Sequence, residues 1–321
     1  MVTGATLMRG GVLEGPGQVV VEMREVPQPG PGQALVRVRA CGLCTSELDV
    51  YLGHNPWAGF PMRPGHEVTG EVVALGSGVT APAVGQSIAA AQAGGGYADY
   101  AVVNAVDCLV IAPHLLPYAL LEPLGCAVTT VRAVATAPGD GVVVYGAGFL
   151  GLTLIQLLRA ACGPSYILAI ARRPESLEQA RRAGADEACT PDAMYDANGR
   201  LSGYQGAHLV LECTGQEEGL ARASGLCREG GTIGIVGYHQ GAGRTLPIHE
   251  WNWKALRIVN AHVRSAEIAR DGAQRALDLL TRGLLDPRPL ITHRYSLDDL
   301  PRAFREAAER PTGFVKAVIE P

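Results

Sequence analysis

Four side chains able to bind a metal occur in short, glycine-flanked stretches. Cys41 and Cys44 lie in Cys41-Gly42-Leu43-Cys44-Thr45-Ser46-Glu47, His66 in Pro64-Gly65-His66-Glu67, and Cys126 in Glu122-Pro123-Leu124-Gly125-Cys126. Thiolate and imidazole donors brought together by folding form a ligand set for catalytic zinc, with the fourth position open to water or substrate. Taken singly, each has an ordinary explanation: a hydrogen-bonded structural histidine, a redox pair of cysteines, a buried thiol acting as a small hydrophobe. A second stretch, Val142-Val143-Val144-Tyr145-Gly146-Ala147-Gly148-Phe149-Leu150-Gly151, spaces its glycines as G-x-G-x-x-G. Such glycines permit a tight turn, let backbone approach a pyrophosphate, and allow close packing of helix on strand, with the phosphates on free N–H groups at the helix N-terminus. With 41 glycines in 321 residues the spacing alone is a weak signal. An apolar run before it and a helical pattern after it make it a strand–turn–helix unit that binds a dinucleotide.

Two kinds of element must position these residues. From Gln18 to Gly94 the chain reads as short β segments broken by Gly and Pro: 19–23, 34–40 and 68–75, a compact, barrel-like β domain. From about Leu120 the texture changes to alternating strand and helix: strands at 142–145, 166–171, 207–212 and 232–237, helices at 150–162, 175–183 and 217–227. Repeated units of this length give a doubly wound parallel sheet. Helices at 273–282 and 297–309 and a closing strand at 315–319 are expected to return to the first domain.

Composition narrows the function classes. A hydrophobic content of 47% supplies two cores, and 18% charged residues with a net charge of -4 and no basic run argue against a nucleic-acid or acidic-membrane surface. Met1 to Gly11 carries no apolar segment behind a basic flank, and the apolar stretch from Val142 to Leu158 is interrupted by glycines and Gln156. No secretory signal and no membrane span are expected, and the chain is expected to be soluble and cytoplasmic. Its eight cysteines are scattered, which in a reducing compartment favours thiols, metal ligands or nucleophiles over disulfides.

In combination, Cys-Gly-x-Cys-x-Ser-Glu, Gly-His-Glu, Glu-Pro-Leu-Gly-Cys, the glycine motif, Leu211-Glu212-Cys213-Thr214-Gly215 and Gly230-Gly231-Thr232-Ile233-Gly234 resemble the medium-chain, zinc-dependent alcohol and polyol dehydrogenases over nearly the whole chain. The resemblance implies a GroES-like β-barrel catalytic domain at 1–127 and 259–321 and a Rossmann domain at 128–258. It makes Cys44, His66 and Cys126 the ligands of one catalytic zinc, with Cys41 at a position that does not bind metal. Glu67 becomes an alternate or supporting ligand, and Glu122 stands where polyol-type relatives carry a glutamate near the metal. Ser46 matches the hydroxyl that starts the proton relay. Many relatives have histidine three residues later; here it is Asp49, a carboxylate ordinarily ionised at neutral pH, with His54 as a substitute. Between Gly85 and Tyr100 the four-cysteine lobe of most relatives is missing, so no structural zinc is expected, and a homodimer is expected with the usual tetramer as the alternative.

The same resemblance places Gly146, Gly148, Phe149, Leu150 and Gly151 on the dinucleotide, Thr130 by the nicotinamide and Lys316 by the pyrophosphate. The acid that bonds the ribose 2′-OH of NAD normally lies about 20 residues beyond the glycines. Here that place holds Ala171, then Arg172 and Arg173. A small residue with two guanidinium groups suits a 2′-phosphate, so NADP is expected, with NAD as the alternative. Trp57, Phe60, Trp251 and Trp253 are expected in loops bordering a cleft. The expected activity is hydride transfer between NADP(H) and a small alcohol or ketone: a secondary alcohol, polyol or sugar-like substrate. The alternatives are a zinc-free quinone- or enoyl-type reductase on the same fold, and a cofactor-binding protein without turnover.

Overall fold

The computed structural model of the chain describes residues 6–194, 205–241 and 243–321. Of the stretch read for a leader, Met1 to Ala5 therefore lie outside the described residues. Two compact units are present: Met1–Gly125 with Ser265–Asp278 and Pro287–Pro321, and Cys126–Arg264 with Leu279–Asp286.

The first unit is mainly β. A hairpin of β1 (Leu7–Gly15) and β2 (Gln18–Glu25) accompanies a larger sheet of β3 (Gln33–Gly42), β4 (Glu67–Leu75), β5 (Ser87–Ala90), β6 (Tyr100–Asn104), β7 (Cys108–Val110), β14 (Ile291–Ser296) and β15 (Lys316–Glu320). Along its main path the strand order is β14-β15-β3-β4-β5-β7, and β6 pairs with β3. In β3 the two-residue period is explicit: Val36 and Val38 face the core, while Arg37 and Arg39 point outward and both reach Glu71 of β4, at 2.6 and 3.0 Å. Core residues include Leu13, Val36, Val68, Ile88, Tyr97 and Phe304. Because β3 lies between β4 and β15, Gly42 pairs with Glu67 on one side and Val318 on the other. The end of β3, the start of β4 and the middle of β15 thus meet around one glycine.

The second unit holds a six-stranded parallel sheet, in the order β10-β9-β8-β11-β12-β13. Its strands are β8 (Gly141–Tyr145), β9 (Tyr166–Ile170), β10 (Glu187–Cys189), β11 (Ala207–Glu212), β12 (Cys227–Ile235) and β13 (Arg257–Asn260), every recorded pairing being parallel. The chain direction across the sheet reverses between β8 and β11, the point where open α/β sheets bind ligand beyond the carboxyl ends of their strands. Helix α3 (Phe149–Ala161) buries Leu152, Leu154, Ile155, Leu157 and Leu158. Helix α4 (Pro174–Ala183) starts at a proline whose missing N–H costs nothing there, and stops at Gly184, whose φ of +114° suits glycine.

The expected β-rich N-terminal part and doubly wound sheet are both present, with differences in detail. Helix α7 (Ala266–Thr281) begins well before 273. The 297–309 helix opens as a 3-10 turn, Leu297–Asp299, capped by the Ser296 hydroxyl, before α8 (Leu300–Glu309). Trp251 and Trp253 lie on helix α6 (Ile248–Trp253) rather than in a loop; the Trp251 indole donates to Ser224 Oγ at 2.5 Å and Trp253 is exposed. Among the described residues no helix is long and apolar enough to cross a membrane.

Candidate metal centre and dinucleotide cradle

The metal-type residues gather where β3 and β4 end. Beyond Gly42 the chain is held by Leu43 N–H on Ala317 O at 2.9 Å, and Cys44 then caps α1 (Thr45–Tyr51) in extended conformation. His66 immediately precedes β4. The donor atoms of Cys44, His66 and Glu67 all lie within 4.8 Å of one another. Ser46 Oγ donates to Cys44 Sγ at 3.3 Å, and Glu122, in the first turn of α2 (Leu121–Val134), brings an oxygen to 3.9 Å from His66 Nε2. Cys126 follows one turn later on the same helix. It is assigned to the second unit, and the three-residue cluster does not include it. Cys41 is fully buried on its strand, and burial pushes its thiol up, with Glu47 and Glu67 adding to the shift; it behaves as packing.

Glu47 organises this cluster, a role that the sequence motif contained without revealing. Its side chain is buried. Oε1 accepts from Gly65 N–H at 2.5 Å and sits 2.9 Å from His66 Nδ1; Oε2 accepts from the Tyr97 hydroxyl and, at 3.4 Å, from Cys44 N–H. Burial alone would raise the Glu47 pKa, but the charge of His66 and bonds from His66, Tyr97 and Gly65 outweigh it and hold the carboxyl below its ordinary 4.5. For His66, burial opposes the charge, yet Glu47 and Cys44 outweigh it and raise the imidazole well above its usual range. With Nδ1 committed to Glu47, Nε2 is the nitrogen available to a metal, the carboxylate–histidine arrangement that fixes ring orientation.

Lys316, for which the resemblance implies a place by the pyrophosphate, is buried with its ammonium on Glu67 Oε1 at 2.6 Å. The strand order explains this. A Cβ on Gly42 would meet Glu67 Oε2 at 1.9 Å, so only glycine lets that carboxylate lie across β3 toward β15. Burial opposes the lysine charge, but Glu67 and Cys44 outweigh it and the pKa is raised. Among the described residues Glu67 Oε2 is buried with no hydrogen-bond partner. Asp49 is largely buried, and the exposed His54 brings Nδ1 to 3.5 Å from its carboxylate. The two candidates for the second relay step are therefore neighbours.

In the second unit the turn after β8 has the geometry that its glycines imply. Gly146 has φ of +113° and donates to Ile170 O at 2.8 Å; Gly148 caps α3; a Cβ on Gly151 would meet Gly146 O at 1.9 Å. A Cβ on Gly148 would meet nothing within 4 Å, so backbone N–H groups of the first turn, at Phe149 and Leu150, border open space at that corner. Across the switch point, fully buried Glu212 ties the ends of β11 and β12 together. It accepts from Thr214 N–H at 2.6 Å, the Thr214 hydroxyl and Gly215 N–H, and meets His239 Nε2 at 2.9 Å. The motif Leu211-Glu212-Cys213-Thr214-Gly215 carries no local sign of this role of Glu212, whose partner His239 lies 27 residues away. Ala171 follows β9, and Arg173 caps α4 with its guanidinium 4.0 Å from Glu175. The Thr130 hydroxyl donates to Cys126 O at 2.9 Å within α2.

A Cys–His–carboxylate cluster in a β unit and a glycine-turn cradle in a doubly wound unit together define the class of metal-site, nicotinamide-type dehydrogenases. Comparison with known proteins gives the family. Residues 30–113 match the alcohol dehydrogenase GroES-like domain and residues 150–282 the zinc-binding dehydrogenase domain. The chain is 30% identical to an L-threonine 3-dehydrogenase of Pyrococcus horikoshii, covering 95% of this chain and 96% of the relative. A candidate zinc-binding dehydrogenase of Sinorhizobium meliloti 1021, bound to NADP, superposes with a TM-score of 0.86 at 27% identity, covering 98% of this chain and 100% of the other. The RspB alcohol dehydrogenase of E. coli CFT073, complexed with NADH, also gives 0.86, at 25% identity and 98% and 99% coverage. The chain belongs to the zinc-binding alcohol dehydrogenase family, and is an oxidoreductase of the alcohol dehydrogenase type.

Proposed function

We propose that this chain is a zinc-dependent oxidoreductase that transfers a hydride between NADP(H) and an alcohol or its ketone, the alcohol being a secondary alcohol, a polyol or a sugar-like substrate. The observation that carries the reading is the Cys44–His66–Glu67 cluster, with Nδ1 of His66 committed to Glu47. One thiolate, one imidazole and carboxylate oxygen suit zinc, whose catalytic sites use three such donors and leave a fourth position open. Cys44 and His66 would hold the ion. Glu122 and Glu67, the latter through its unpartnered Oε2, supply the carboxylate donor, and Cys126 is the alternative thiolate. When bound, zinc supplies Lewis-acid polarisation of the reacting oxygen, and the nicotinamide exchanges the hydride.

This chain's own residues handle the proton and orientation. Ser46, whose hydroxyl donates to Cys44 Sγ, accepts the proton of the reacting hydroxyl in this reading. Asp49, three residues on along α1, and His54 carry it outward, the exposed imidazole ending at solvent. The backbone at Gly146, Gly148 and Gly151 accommodates the pyrophosphate. Arg172 and Arg173, following Ala171, favour the 2′-phosphate of NADP over the bare ribose of NAD. Retention of the whole donor cluster argues against the zinc-free reductase alternative.

The test combines metal analysis with a panel of alcohols and ketones offered with both cofactors. One zinc per chain is expected, lost together with activity in Cys44→Ser; a metal-free protein with full activity would sink the reading. Arg173→Ala should weaken NADPH binding far more than NADH binding, and equal affinities of the parent for the two would overturn the cofactor assignment.

A further inference from the structure

The segment between β5 and β6, which contains Gly94-Gly95-Gly96-Tyr97, has no cysteine, yet it is not a slack connection. Gly96 N–H donates to Gly65 O at 2.8 Å, Tyr97 N–H to Pro64 O at 3.3 Å, and Gly11 N–H to Tyr97 O at 2.7 Å. The loop is thereby strapped onto the two residues before His66. Contact there is backbone on backbone: Gly65 has φ of +105°, and a Cβ on it would meet Tyr97 N at 2.4 Å. The Tyr97 ring is fully buried against Phe304 in an edge-on pair 6.0 Å apart, and its hydroxyl bonds Glu47 and lies 3.1 Å from Gly42 O.

Packing explains the ring but not the hydroxyl. A phenylalanine would fill the same volume without the cost of desolvating a polar group, a cost offset only where the group finds a partner. Here the hydroxyl has two acceptors, Gly42 O at 3.1 Å and the nearer Glu47 Oε2, and only the second leads to the metal-type residues. The two oxygens of Glu47 divide their work: Oε1 serves Gly65 and His66, while on Oε2 the Cys44 contact is long and the phenol is the close one. With Oε2 anchored, rotation of the carboxylate is blocked, and Oε1 stays on Nδ1 of His66.

We propose that Tyr97 is a positioning residue for the metal centre: its hydroxyl fixes Glu47, Glu47 fixes the His66 ring with Nε2 presented to the ion, and the cysteine-free loop is a clamp on the site. The inference rests on the zinc reading above. It is tested by chelator competition for zinc on metal-depleted protein at one fixed pH, beside thermal unfolding of the same metal-free samples. Tyr97→Phe should weaken zinc binding about 10- to 100-fold, the range for loss of a partner behind a metal-ligating histidine, while the metal-free protein unfolds at nearly the parent temperature. Glu47→Gln alone should weaken it at least as much. Adding Tyr97→Phe to Glu47→Gln should cost nothing further, because the phenol acts through the carboxylate.

Zinc affinity of Tyr97→Phe within about twofold of the parent, as in a role confined to packing, would overturn the proposal. Losses that add in the double variant, or an unaffected Glu47→Gln, would overturn it equally, and the latter result decides even if Tyr97→Phe folds poorly. A parent protein that takes up no zinc removes both readings at once, whereas equal affinities of parent and Tyr97→Phe remove this one alone.

Discussion

The two functional regions are built of different material. Around Cys44 and His66, buried side chains hold one another: Tyr97 on Glu47, Glu47 on His66, Lys316 on Glu67. Around Gly146, Gly148 and Gly151 the surface is backbone, and its shape depends on side chains being absent. A region of the first kind fails when one charge loses its partner; one of the second kind fails when an atom is added. Replacing Lys316 by methionine is therefore expected to produce the largest loss. It strands Glu67, which has 0% side-chain exposure, as an uncompensated buried charge. Breaking such a pair costs about 3–5 kcal/mol. Chemical denaturation should show that loss, and a variant as stable as the parent would mean that the Lys316–Glu67 pair is not what holds the two strand ends.

The glycine turn can be broken in two separable ways. Gly151→Ala drives a methyl to 1.9 Å from Gly146 O, a rigid backbone atom, so the turn must open. Overpacking of this kind costs about 1–3 kcal/mol and should lower stability and cofactor binding together. Gly148→Ala is gentler, because φ is already −89° and the new methyl meets nothing within 4 Å. Stability should stay within about 0.5 kcal/mol of the parent. In the proposed cofactor site the methyl would stand where the pyrophosphate approaches backbone, so NADPH affinity should fall by about tenfold, or roughly 1.4 kcal/mol, by titration. If the two variants lose stability equally, or if Gly148→Ala binds cofactor normally, the contrast between them is wrong.

What the sequence disclosed follows the same division. The glycine motif was legible because the constraint is local: turn, strand end and helix start lie within ten consecutive residues, and Gly146 and Gly151 each answer a contact that a Cβ would violate, while Gly148 leaves the corner open. The grouping of Cys44 with His66 was legible through the resemblance. The partners behind them were not. Tyr97 reaches Glu47 across 50 residues and Lys316 reaches Glu67 across 249, and no periodicity relates them. The Lys316 contact exists because β3 is flanked by β4 and β15, and the Tyr97 contact because the β5–β6 loop is bonded to Pro64 and Gly65. Small elements were lost for a different reason. Strand β13 has four residues, β7 and β10 three each, too short for alternation to register, and β1 contains Gly10, Gly11 and Gly15, which weaken the β signal. Helix α6 was hidden because its six residues barely exceed one turn.

The last expected effect is invisible at neutral pH and sharpens the account of the side-chain site. Glu47 is held below 4.5 in the folded chain, so between its folded and unfolded pKa values the unfolded state binds more protons. Its contribution to stability is fully present above the unfolded value and is lost as pH falls through the folded one. Urea unfolding of metal-free protein from pH 7 down into the acid range should show this loss in the parent, while Glu47→Gln, less stable at pH 7, should show a shallower decline. The gap between the two proteins must narrow as pH falls, because protonation of the parent carboxyl does by titration what the substitution does by chemistry. A gap that stayed constant across that range would mean that Glu47 is not held as a carboxylate by His66, Tyr97 and Gly65, and the distinction between a site made of paired side chains and a site made of bare backbone would lose its central residue.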